Sequence, residues 1–368
     1  MFPSHISIFL VAVFVMMTSA CASDAQDNPF QSQALAEFDE PWAMAFLPDG
    51  RLLVTEKAGR LLVVSTDDGS SREVSGVPSV DYGGQGGFGD VALHPGFADN
   101  RHVYLSFVEA GDGKTRGAVV VRATLDLTEG RESIEDLKVI WRQNPKVTGR
   151  GHYGHRLLFS DDGHLFISSG DRQKFEPAQD MDGNLGKILR LNDDGSVPDD
   201  NPFAERGGVS AEIWSLGHRN PLGIAFDANG QLWNVEMGPR GGDELNRVLR
   251  GANYGYPIVS NGRHYSGKNI PDHDTRPEFE APKAWWTPVI SPGGFIIYSG
   301  AMFPDWQGDG LIAGLSSQAL VRIEFDGENA SEAERYPMGN RMRAVTEGPD
   351  GAIWMLEDGG RLLKLTPK

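Results

Sequence analysis

The sequence predicts an all-β chain, a six-bladed β-propeller of four-stranded antiparallel sheets. Three observations carry this. Forty-six of its 368 residues are glycine, against a usual share of roughly 7%. No segment beyond the N-terminus has strong helical periodicity. Above all, one phrase recurs: an apolar strand, a Pro/Asp/Asn-Gly turn, then a second apolar strand ending in a polar residue.

The copies run in order along the chain. The first is Met44–Glu56, turning at Gly50; a looser second joins Val91–Pro95 to Val103–Phe107. The third is Leu157–Ser169 around Gly163, and the fourth Ile224–Glu236 around Gly230. A looser fifth joins Phe295–Ser299 to Leu311–Leu315, and the sixth is Val345–Glu357 around Gly351. Each is expected to be a hairpin with a primed-turn dipeptide. Several continue into a further strand: Gly59–Val64, Gly117–Val121, Gly186–Leu191, Ala319–Ile323 and Gly360–Leu365. Six sheets in radial repetition leave only short edges, which favours a propeller over a pair of sandwiches.

Residues Ile6–Met17 are an apolar run too short to span a bilayer but sized for a signal-peptide core. Residues 1–22 therefore read as an export signal. Ala20-Cys21-Ala22 suits cleavage, and Ser19-Ala20-Cys21 equally suits a lipobox that would make Cys21 a lipid anchor. Met1 to His5 lacks the usual Lys or Arg. Residues 23–33 read as a polar tether and 34–368 as one catalytic propeller, exported to the periplasm and either soluble or lipid-anchored.

A net charge of −17 argues against a nucleic-acid partner. The single cysteine lies in the leader, so the propeller has neither a disulfide nor a cysteine-based zinc site. There is no P-loop, and no Gly-x-Gly-x-x-Gly between a strand and a helix. The long insertions Gln173–Gln179, Pro198–Gly208 and Gly255–Ser291 mark the mouth of the channel.

Residues able to do chemistry gather at hairpin ends. His152 precedes the third hairpin and Asp171 follows it. Antiparallel pairing brings both to one rim, either as a carboxylate-oriented general base or as an ordinary loop hydrogen bond. His155 and His164 are alternatives by type, with His164 in the turn. Arg219 and Asn220, before the fourth hairpin, can present a guanidinium fork and an amide to an anion or make a surface ion pair. Arg341 and Arg343 occupy the matching place before the sixth and lie on one side of an extended segment, able to grip one anion. After the fourth hairpin, the carbonyls of Gly238 and Pro239 with nearby carboxylates supply the hard oxygen donors that Ca²⁺ prefers.

These segments, in order, resemble the bacterial soluble quinoprotein sugar dehydrogenases, the glucose/sorbosone dehydrogenase family, over Pro41 to Pro367. Gly217–Gly223, Gly238–Asn246, Asn253–Pro257 and His152 shortly before Arg156 carry the resemblance most specifically. It implies a six-bladed propeller using pyrroloquinoline quinone (PQQ) and calcium. It implies that His152 takes the proton of a sugar's anomeric hydroxyl while hydride passes to the quinone, giving a lactone. Asp171 would hold the imidazole and Gln85 would help to position the catalytic group. PQQ is a flat tricarboxylate, which accounts for Arg219, Asn220, Arg341 and Arg343 in an acidic chain. Calcium on the Gly238 and Pro239 carbonyls would polarise the quinone, and Glu244 with the Tyr254 carbonyl would hold a second, structural calcium. The partners implied are aldose sugars and an electron acceptor, a quinone or cytochrome.

One departure stands out. Where many relatives carry a lysine in the fifth-blade strand, this chain reads Ala313-Gly-Leu-Ser316-Ser317-Gln318, which leaves weaker cofactor binding, a role for Gln318, or lost activity. Trp285 and Trp286 are expected either to stack a sugar or to fill the core. A calcium-dependent lactonase and a non-catalytic carbohydrate- or protein-binding propeller are the alternative functions.

Overall fold

The computed structural model describes Met1 and residues 28–368. Residues 2–27, which hold the rest of the expected export signal, Cys21 and most of the expected tether, lie outside the described residues. Strand β1 (Phe30–Glu37) comes first in sequence but belongs to the last blade. Blade one is β2 (Pro41–Phe46), β3 (Leu52–Glu56), β4 (Arg60–Val64) and β5 (Ser71–Glu73). Blade two is β6 (Phe88–Leu93), β7 (His102–Ala110), β8 (Thr115–Asp126) and β9 (Ser133–Arg142), with β10 (Val147–Thr148) as an added partner of β8. Blade three is β11 (Gly154–Phe159), β12 (Leu165–Ser169), β13 (Lys187–Leu191) and β14 (Ile213–Leu216). Blade four is β15 (Pro221–Phe226), β16 (Leu232–Glu236), β17 (Asp243–Arg247) and β18 (Ala284–Trp286). Blade five is β19 (Pro292–Ile297), β20 (Gly310–Gly314), β21 (Ala319–Asp326) and β22 (Asn329–Pro337). Blade six is β23 (Met342–Glu347), β24 (Ile353–Glu357) and β25 (Arg361–Pro367), completed by β1 from the other end of the chain.

This is the six-bladed propeller that the repeat predicts. The tether, however, ends earlier than expected: residues 30–33 are strand, because Phe30 is buried against Trp306 and Tyr336 and its backbone pairs with β25. The recurring turns also differ from expectation. The Leu47 N–H bonds the Arg51 carbonyl and the Gly50 N–H bonds the Leu47 carbonyl, a three-residue loop with Gly50 at φ 88°. The third, fourth and sixth hairpins repeat the pattern at Gly163, Gly230 and Gly351. In the first and sixth hairpins Pro48 and Pro349 fix φ negative, which excludes a primed turn and favours a type I turn followed by a left-handed glycine; the third and fourth make the same turn with Asp161 and Ala228 at that place.

The core is divided the way a propeller requires. Apolar clusters fill each of the six seams between neighbouring blades. The innermost strands β2, β6, β11, β15, β19 and β23 neighbour one another in a closed ring. All six have a register irregularity near their first residues. Such bulges bend a strand and re-aim its side chains, and here they lie at the channel end where the polar residues gather.

The channel floor is closed by Arg156. Its Nε donates to the Leu222 carbonyl at 2.7 Å, its Nη1 to Asp90 at 3.3 Å, its Nη2 to the Gly293 carbonyl, and its guanidinium lies 3.9 Å from the Trp42 ring centroid. One side chain of blade three thereby touches blades one, two, four and five.

Candidate active site

His152 sits in the turn entering β11 with φ 51°, a left-handed conformation held by its neighbours. Its N–H donates to Gln85 Oε1 at 2.7 Å, and its Nδ1 lies 2.7 Å from Asp171 Oδ1. Asp171 is fully buried, and its carboxylate also accepts the N–H of Gln173 at 3.0 Å. Nδ1 therefore carries the proton toward the carboxylate, which leaves Nε2 with a lone pair. Desolvation holds the His152 pKa below its usual value although Asp171 pulls the other way. The result is a neutral, oriented imidazole able to accept a proton. Gly151 precedes it because a Cβ there would meet the Gln173 side chain at 2.7 Å.

Two cavities flank this group. The one at the channel mouth, about 150 Å³, is lined by Gln85, Asn220, Arg341 and Arg343 together with Lys57 and Trp42. Asn220 Oδ1 accepts the Gly154 N–H at 3.2 Å, so its amide is locked to the turn that carries His152. Arg341 and Arg343 both reach Asp358, Nε to carboxylate 2.8 and 2.9 Å. They are paired as the sequence suggests, on an acid of the chain itself.

The second cavity, about 460 Å³, is walled by His152, Arg219, Phe175, Tyr256, His264 and Tyr265. Sequence reasoning passed over these aromatics. They stand in the insertions it marked as the mouth, but irregular loops have no periodicity to single out one side chain. Trp285 and Trp286 do not line this cavity. Trp286 is buried in the seam between blades four and five, its Nε1 donating to Glu332 at 2.6 Å, while Trp285 on the same short strand faces outward and is 56% exposed. Nor does Gln318 reach the site: it is an exposed turn residue at φ 52° and does not line either cavity. Ser316 is exposed as well, its hydroxyl donating to the Val289 carbonyl at 3.0 Å.

Arg219 links the site to the Gly238–Pro239 turn. Its Nη1 donates to the carbonyls of Met237, at 2.7 Å, and Gly238, while its buried Nε has no partner. The turn is held by Asp243, which accepts the Gly238 and Ser291 N–H groups at 2.8 and 2.6 Å and whose pKa burial pushes up to about 6. The Met237 and Gly238 carbonyl oxygens, turned toward this positive charge, have the donor chemistry that suits a hard cation.

Glu244 fits a metal in a different way. Burial and the charge of Glu236 push its carboxyl up, the larger effect being burial. His273 Nε2 lies 3.5 Å from Glu244 Oε1 and pulls the other way, while Asn246 Oδ1, Asn234 Oδ1 and His273 Nδ1 are buried without a hydrogen-bond partner. Among the described residues there is no cluster of three or more His, Cys, Asp or Glu ligands, so any cation here would draw on amide and carbonyl oxygens too. Tyr254 stacks on His218 at 4.7 Å, and its N–H donates to the Leu216 carbonyl at 2.9 Å.

Residues 38–364 match the Glucose / Sorbosone dehydrogenase family. The chain is 38% identical over 370 residues to the aldose sugar dehydrogenase YliI of Escherichia coli, covering 98% of this chain and 99% of that one. Among solved structures, one described as a glucose dehydrogenase shares 40% identity, with a TM-score of 0.87 over 92% of this chain and 100% of that chain. The PQQ-bound form of an aldose sugar dehydrogenase from Streptomyces coelicolor shares 28%, with a TM-score of 0.78 over 92% and 98%. The chain belongs to the glucose/sorbosone dehydrogenase family.

Proposed function

We propose that the protein is a PQQ-dependent aldose dehydrogenase of the periplasm that oxidises the anomeric carbon of a sugar to a lactone and passes the electrons to an external acceptor. The observation that carries this reading is the neutral His152, backed by buried Asp171 and standing between a cationic cavity and an aromatic one. The PQQ-bound relative of the same fold supports the choice of cofactor.

The residues divide the work. Arg341, Arg343, Asn220 and Gln85 offer donors to a planar anion in the mouth cavity. Phe175, Tyr256 and Tyr265 offer apolar faces to a sugar ring in the second. His152 Nε2 takes the anomeric hydroxyl proton, and Asp171 stabilises the imidazolium that results. Arg219 offers its unpaired Nε at the boundary. The Gly238 and Pro239 carbonyls would hold Ca²⁺, and Glu244, Asn246 and the Tyr254 carbonyl a structural cation. When bound, the quinone supplies a two-electron hydride acceptor and its calcium the Lewis acid that polarises it.

The test is reconstitution. Protein freed of cofactor, given PQQ and Ca²⁺, is expected to reduce an artificial dye with glucose or another aldose, whereas PQQ-free protein is inert. No activity with any aldose under these conditions contradicts the reading.

A further inference from the structure

The mouth cavity holds three cationic side chains, Lys57, Arg341 and Arg343, and no carboxylate, in a chain of net charge −17. Each cation is steadied by an acid outside the lining. Asp358 takes Nε of both arginines and one Nη of Arg343. Lys57 Nζ lies 3.0 Å from Glu40, whose other oxygen accepts the Tyr82 hydroxyl, and 5.6 Å from the Tyr82 ring centroid. These pairings leave donors over. An ammonium has three N–H groups and Glu40 occupies one; among the described residues, Arg343 Nη1 and both terminal nitrogens of Arg341 have no protein partner.

The backbone places Lys57 firmly. It follows β3 in blade one, its N–H donates to the Glu40 carbonyl at 3.1 Å, and its own carbonyl accepts the Phe88 N–H at 2.9 Å, tying it to blade two. Its side chain is only 14% exposed, so its charge acts on the cavity with less screening than a surface lysine has. Blades one and six are neighbours in the ring. Lys57 therefore approaches the arginine pair from the adjoining blade.

We infer that Lys57 is a carboxylate-binding residue of this cavity, which with Arg341 and Arg343 receives one acidic group of the planar cofactor. It supplies a positive charge that the exposed, neutral Ser316 does not. This inference rests on the reading of the protein as PQQ-dependent.

Titration of cofactor-free protein with PQQ, without sugar, tests it. Quenching of tryptophan emission is a direct signal because Trp42 lines the cavity. Lys57→Met and Lys57→Gln are each expected to raise the Kd about tenfold, which is about 1.4 kcal/mol, and Lys57→Arg to restore it to within about threefold. The Gln variant keeps a donor for Glu40, so it separates lost charge from a disturbed loop. Wild-type Kd in both neutral variants overturns the role of Lys57 and leaves the PQQ reading standing. Absence of saturable binding in the wild type overturns both.

Discussion

His152, the base of the proposed reaction, is held by three separate restraints: Gln85 on its N–H, Asp171 on its ring and the left-handed backbone between them. His152→Ala is expected to lower kcat by about 10²–10⁴ while PQQ still binds, since His152 is not part of the mouth cavity. Equal losses of binding and turnover would assign it a structural role instead. Asp171→Asn tests orientation, because an amide can donate to Nδ1 and invert the tautomer; steady-state rates should fall while the melting temperature changes far less. Because desolvation holds the His152 pKa below 6.5 in the folded protein, the imidazole stays neutral at pH 7. An acid limb of kcat/KM lying below pH 6.5 is expected, and a limb above pH 7 that follows this residue would contradict the assignment. Gly151→Ala would push Gln173 aside, which should appear as a raised KM for sugar.

The elements explain why the site is where it is. Bulges at the start of the inner strands bring residues from β11, β15 and β23 and from the turn before β6 to one rim. Much of this was legible in the sequence, because the turn glycines counted the blades and polar residues clustered at matching hairpin ends. Asp171, which the structure places on His152, and Asn220 and Arg343, which it places at the mouth cavity, were singled out that way. What escaped lies where no period operates: Phe175 and Tyr265 in insertions, and Lys57, an ordinary lysine at the end of a hairpin until blade closure turns it inward. The tryptophans failed for the opposite reason. A Trp-Trp pair on a strand must place one side chain on each face, so Trp286 went to the core and Trp285 to solvent. Strand β1 completes the last blade by pairing with β25. Phe30→Ala removes the aromatic that packs on Trp306 and Tyr336 where the ring closes, and a loss of about 3–5 kcal/mol is expected in urea unfolding. A change under 1 kcal/mol would mean that the seam holds without it.

The whole molecule is a closed ring around a buried polar floor, and that sets its response to acid. His155 is fully buried beside Trp42, and desolvation drives its pKa down to about 3. The unfolded chain takes up a proton near pH 6.5 while the folded chain does not. Stability is therefore full above pH 6.5 and declines on acidification by about 1.4 kcal/mol per unit, until the folded residue titrates. Urea midpoints at pH 7 and pH 5 should show this fall, and His155→Gln should flatten it. The net charge of −17 also has its place in this picture: it keeps the outer surface acidic while a few cations are concentrated at the mouth. On the proposed function this mouth holds PQQ next to His152. This is tested most directly by the absorbance spectrum of the protein mixed with PQQ and Ca²⁺, recorded before and after an aldose is added without any acceptor. The bound quinone's band is expected to give way to that of its reduced form in wild type and to persist in His152→Ala. An unchanged wild-type spectrum with every aldose tried would contradict it.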